Sequence, residues 1–64
     1  MTERIDYRGF KIELRPFGAG GCSALIYPPG AAQADPNIPW SEDPGARTTV
    51  VDEAKVIIDK MLAP

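Results

Sequence analysis

Residues 49–62 constrain the fold of this chain most, because they carry a helical period that no upstream segment matches. Stepped roughly 100° apart, Val50, Val51, Ala54, Ile57, Ile58, Met61 and Leu62 line one apolar stripe, with Asp52, Glu53, Asp59 and Lys60 opposite. The stripe needs a partner surface, and only the strand-like segments upstream can supply it. The pattern therefore predicts a small α+β domain, an antiparallel sheet of two or three strands packed on one C-terminal helix. Thr49 with Asp52 three residues on resembles a capping box with the shorter acid. Asp52 and Glu53 would then lie in the first turn and Lys60 in the last, as the helix dipole favours. Val56 points away from the stripe, either as a lone exposed residue or, with Ala63, as the seed of a second contact face.

Upstream the period changes to two. Ile5 and Tyr7 alternate with charged neighbours, the phase slips at Arg8-Gly9, and Phe10, Ile12 and Leu14 resume it opposite Lys11, Glu13 and Arg15. A slip of that kind implies a tight turn or a bulge with Gly9 as its hinge. Pro16 ends the stretch, Gly18-Ala19-Gly20-Gly21 makes a flexible loop, and a second apolar run from Cys22 to Tyr27 is closed by Pro28-Pro29-Gly30. One domain over residues 1–64 is expected, with strands at about 4–15 and 22–28, a proline-rich loop at 28–47 and the helix at about 49–62.

The second strand is apolar on both sides, since Cys22, Ala24 and Ile26 back onto Leu25 and Tyr27. Either the helix covers one face and the Trp40 loop the other, or Leu25 and Tyr27 belong to a partner interface. The loop holds five of the seven prolines, which excludes a helix or a central strand. Ile38 and Trp40 set it apart from a disordered linker. They either pin the loop to the domain as an auxiliary core, the expectation for so small a core, or stand as an exposed anchor for another protein.

With 64 residues the chain forms one thin core, and per-residue scaling gives a total stability of roughly 3 to 10 kcal/mol. Chains of this size usually carry a staple. A single cysteine, Cys22, excludes an internal disulfide, and without histidine a tetrahedral zinc site is short of ligands. Self-association remains, so a homodimer is expected. Seven basic against nine acidic residues give a net charge of −2, which offers a phosphate backbone no overall attraction. A nucleic-acid surface would have to use Arg4, Arg8, Lys11 and Arg15, but Glu13 sits among them and no aromatic side chain interleaves with them, so a solvated mixed-charge face is expected. Met1 to Arg8 has no apolar run behind it, so neither a leader nor a membrane span is expected and the location expected is cytoplasmic.

Catalytic constellations fail one by one. The Gly18–Gly21 run lacks the lysine, hydroxyl residue and following helix of a phosphate loop. Asp35, Glu42 and Asp43 lack the spacing of a calcium loop. Cys22 has no histidine to activate it and is expected to be a half-buried structural thiol. No catalytic, cofactor-binding or metal-binding residue is assigned, no cofactor is expected, and the chain is not expected to be an enzyme.

Ile12 to Leu14, Ala24 to Pro28, Gly30, and the helix entry Thr49, Asp52, Glu53 and Ala54 resemble the HicB family of toxin–antitoxin antitoxins. Their small domain has a strand-strand-helix order with a Thr-x-x-Glu-Ala entry. The resemblance spans roughly half of the chain and is shared with many small bacterial strand-strand-helix proteins. The chain departs from the family in lacking a glycine before Thr49 and in its longer proline-rich loop, and a C-terminal DNA-binding segment is not expected. A hairpin packed on a helix is what the resemblance implies for the fold, and a partner covering another protein's active site is what it implies for the role. The function expected from the residues is a non-enzymatic intracellular protein-interaction module, with Leu25, Tyr27, Ile38, Trp40 and Val56 as its partner-binding residues. An antitoxin-like inhibitor and a nucleic-acid-binding module are the alternatives.

Overall fold

The computed structural model describes residues 3–63; Met1 and Thr2, at the head of the stretch read for a leader, lie outside them. Strands β1 (Glu3–Tyr7), β2 (Phe10–Phe17), β3 (Gly21–Tyr27) and β4 (Trp40–Ser41) precede helix α1 (Arg47–Leu62). The strands form one antiparallel sheet in the order β1-β2-β3-β4. The class is α+β as expected, with four strands rather than two or three.

Two local features account for the extra strands. The stretch at 4–15 is two strands because Arg8 (φ 52°) and Gly9 (φ 85°) form a two-residue turn with both residues left-handed, which matches the twist of the flanking strands. Arg8 is an uncommon residue for that conformation, and its guanidinium is anchored by Asp59 of α1 at 2.8 Å. The other added strand is β4, inside the proline-rich loop. The Ala24 amide donates to the Pro39 carbonyl at 2.9 Å and the Asp35 amide to the Ile26 carbonyl at 2.7 Å, so this segment runs along the outer edge of β3. Pro39 docks through its carbonyl, since a proline has no amide to return to Ala24. Gly21 is required by this docking, since a Cβ there would run into the backbone of Ser41 and Glu42.

Phe10, Ile12 and Leu14 of β2 and Ala24 and Ile26 of β3 face Val50, Val51, Ala54 and Ile58 of α1, with Ala46 closing one end. Ile12, Ile26 and Ile58 are wholly buried, each stabilising the fold by roughly 1.5 to 3 kcal/mol. Ile5, Tyr7, Cys22 and Ile57 pack around that core. Cys22 is a half-buried free thiol.

α1 departs from its expected ends. It starts at Arg47, its N-cap is Ala46 without a side-chain bond, and no acidic residue lies in its first turn. The Thr49–Asp52 capping box does not form. Tucking Ala46 into the core moves the helix start upstream, and the apolar contact replaces the polar cap. At the other end Asp59 reaches the β1–β2 turn, and Met61 and Leu62 are exposed rather than part of the stripe's buried face.

The helix is fastened to β1 at both ends. Arg47 forms a two-pronged ion pair with Glu3. Near the far end, Oδ1 of Asp59 accepts from Arg8 at 2.8 Å and from Tyr7 Oη at 2.9 Å, and Lys55 Nζ sits 5.4 Å from the centre of the Tyr7 ring. The Arg8 and Tyr7 hydrogen bonds hold the Asp59 carboxyl below its ordinary 3.8. The bond to Asp59 raises the Tyr7 hydroxyl above 10.0. Among the described residues, no helix is long and apolar enough to cross a membrane.

Candidate interaction face

Side chains alternate across a strand, so burying one face of the sheet under α1 commits every second residue to the other face. The register aligns them in rows: Arg4, Glu13 and Leu25; Asp6, Lys11 and Tyr27; Arg15, Ser23 and Trp40. No helix covers this face. Leu25, Tyr27 and Trp40, expected as partner-binding residues, are brought together on it. Ile38 is exposed on the segment leading into β4. Val56 is 50% exposed on the outer surface of α1, beside Asp52, Glu53 and Ile57, on the opposite side of the molecule.

Trp40 is 56% exposed and packs against Phe17, the ring centres 4.7 Å apart and tilted by 38°. It is not part of the buried core, so the auxiliary-core expectation gives way. Pro16 reads in the sequence as the strand's end, which leaves Phe17 outside it; β2 continues through that proline, and the parity of Lys11, Glu13 and Arg15 extends to Phe17. Tyr27 and Leu25 are half-buried on β3.

Arg4, Lys11 and Arg15 are exposed, as expected of a solvated mixed-charge face, but Glu13 is not. It is 7% exposed, and its Oε2 accepts from Tyr27 Oη and from Arg15 Nη2, each at 3.3 Å. Arg4 lies 3.9 Å from its other oxygen. A buried carboxylate with several donors fixes those donors in place. Here it ties Arg15 to Tyr27, with Arg4 nearby, beside a shallow groove of about 400 Å³ whose rim includes Lys11 and Pro28–Gly30. Aromatic and cationic side chains thus share one face, contrary to the sequence expectation that no aromatic interleaves with Arg4, Lys11 and Arg15. Phe17 lies on β2 itself, whereas Tyr27 and Trp40 come to this face through the pairing of β3 with β2 and of β4 with β3.

Among the described residues, no group of three or more acidic or cysteine side chains could hold a metal ion. Comparison with known proteins gives no matching family model, no matching curated protein and no matching solved structure. Functional assignment therefore rests on the face itself.

Proposed function

We propose that this chain is a non-enzymatic, intracellular protein-interaction module, homodimeric in its working form, whose partner docks on the uncovered sheet face. Trp40 carries the reading: a large ring more than half exposed, supported from one side by Phe17 and on the same sheet face as Leu25 and Tyr27. A tryptophan braced by a neighbour loses little conformational freedom on binding, which is how anchor residues gain affinity. An antitoxin-like inhibitor is the same reading with an enzyme as the partner.

The test compares Trp40→Ala with Val56→Ala in affinity capture from the source cells, followed by titration of the purified partner. The expected result is a loss of affinity of at least roughly tenfold for Trp40→Ala, corresponding to about 1.4 kcal/mol or more, with melting changed little and Val56→Ala binding like the wild type. Trp40→Ala that melts much lower while keeping its partner would refute the docking role.

A second reading has its own observation. Arg4, Lys11 and Arg15 share the face with Phe17, Tyr27 and Trp40, and single-stranded nucleic acids bind through such a mixture of cations and stacking rings. Arg8, expected in that set, is engaged by Asp59 instead. Binding of a single-stranded oligonucleotide that weakens steeply with added salt would favour this reading, whereas salt-tolerant protein capture favours the first.

A further inference from the structure

The two edges of the sheet differ. β4 spans two residues, of which only Trp40 directs its backbone groups away from β3. β1 spans five residues without proline. Which of its backbone groups face outward follows from the ladder. Ala24 and Ile26 direct their backbone groups toward the β4 side, so Leu25 and Tyr27 direct theirs to β2. Across the register, Glu13 and Lys11 then face β3, Ile12 and Leu14 face β1, and Arg4 and Asp6 are left with amide and carbonyl pointing out of the sheet.

We propose that a second copy of this chain pairs along β1, antiparallel, about a twofold axis at Ile5. This rests on the homodimer part of the reading above and is independent of Trp40. The sequence of β1, Glu3-Arg4-Ile5-Asp6-Tyr7, has opposite charges placed symmetrically about Ile5. In the twofold pairing Arg4 of each copy therefore meets Asp6 of the other, twice. These are also the residues whose backbone groups point outward, so the same couples form the hydrogen-bonded pairs. Ile5 meets Ile5 of the other copy in the non-hydrogen-bonded position, where side chains approach most closely, and extends the Ile12–Ile5 row across the junction. On the open face each row becomes Lys11, Asp6, then Arg4 and Glu13 of the other copy, with alternating signs. Moving the axis to Arg4 or to Asp6 puts like charges opposite one another, so the register is specified by charge as well as by backbone polarity. The product is one continuous sheet with both helices on one face, which supplies the staple that a chain of this size otherwise lacks.

The test is charge reversal followed by sedimentation equilibrium. The wild type is expected to dimerise, with the amides of Arg4 and Asp6 exchanging more slowly with solvent as concentration rises. Arg4→Asp alone and Asp6→Arg alone should each weaken self-association by roughly tenfold or more, because two attractive couples become repulsive. Mixing the two variants should restore it, since every opposed couple in the mixed pair again carries one positive and one negative side chain. Circular dichroism identifies any variant that fails to fold; should Arg4→Asp fail beside Glu13, amide exchange in the wild type decides alone. A chain that stays monomeric at all concentrations overturns the proposal, as does a dimer whose Arg4 and Asp6 amides exchange like an open edge, or folded single variants that associate as the wild type does. Trp40→Ala should leave the dimer intact, so failure of β1 pairing and failure of docking at Trp40 are read separately.

Discussion

Asp59 joins the two ends of the molecule's architecture, receiving Arg8 from the left-handed turn and Tyr7 from the strand before it. Its pKa lies below the ordinary 3.8, so its contribution to stability is complete above that value and is lost as the pH falls through the lower folded-state value. Wild type should therefore lose more stability than Asp59→Asn between about pH 5 and pH 2, measured by denaturant melts at each pH. Equal slopes for the two proteins would show that another carboxylate governs the acid response. The effect is small, because the pair is solvated. Tyr7 has the opposite sign: its raised pKa gives a contribution present below 10.0 and lost as the pH rises through the folded-state value. Glu13 shows what a residue's place in the register decides. In sequence it is one charge in an alternating strand, whereas in the sheet it lies beneath Tyr27 and between two arginines.

At the scale of elements, α1 is held by a narrower face than its composition suggests. Val50, Val51, Ala54 and Ile58 carry the contact, Ile57 lies at its border, and Met61 and Leu62 of the last turn are exposed. Ile58→Ala should cost about 2 to 5 kcal/mol, a large share of the roughly 3 to 10 kcal/mol that a chain of this length commands. Val56→Asp, on the outer surface, should change stability by no more than about 0.5 kcal/mol. Urea denaturation of both variants tests the helix orientation; similar losses would mean that α1 presents a different face to the sheet. β4 makes the complementary point, because two residues of strand suffice to place Trp40 on the open face once Pro39 and Ser41 are held against β3.

For the whole molecule, one layer of sheet and one helix leave a face and an edge without cover. Area alone does not make either an interface, since small domains expose apolar atoms widely. The particular content of each is what counts: a braced tryptophan on the face, and a self-complementary charge pattern along the edge. If pairing of β1 completes the fold, melting temperature should rise with protein concentration, because association stabilises only the folded chain. Calorimetry over a wide concentration range checks this; a constant melting temperature would mean that the monomer is the folding unit.

The existence of the helix, the turn at Arg8-Gly9, the apolar side of β2 and the half-buried Cys22 were legible in the sequence, because each depends on period, local conformation or hydropathy over a few neighbouring residues. Leu25, Tyr27 and Trp40 could be singled out as apolar residues in excess of one buried face. Their placement on one face could not, since it requires the proline-rich segment to dock along the outer edge of β3. For the same reason the sequence left Phe17 and Glu13 out of the site: a proline beside one and a charge on the other outweighed partners distant along the chain. The helix start, the missing cap and the docking of the proline-rich segment were likewise decided by tertiary structure. There, burial of Ala46 and two backbone hydrogen bonds to the edge of β3 outweighed the local preferences of Thr49, Asp52 and the prolines.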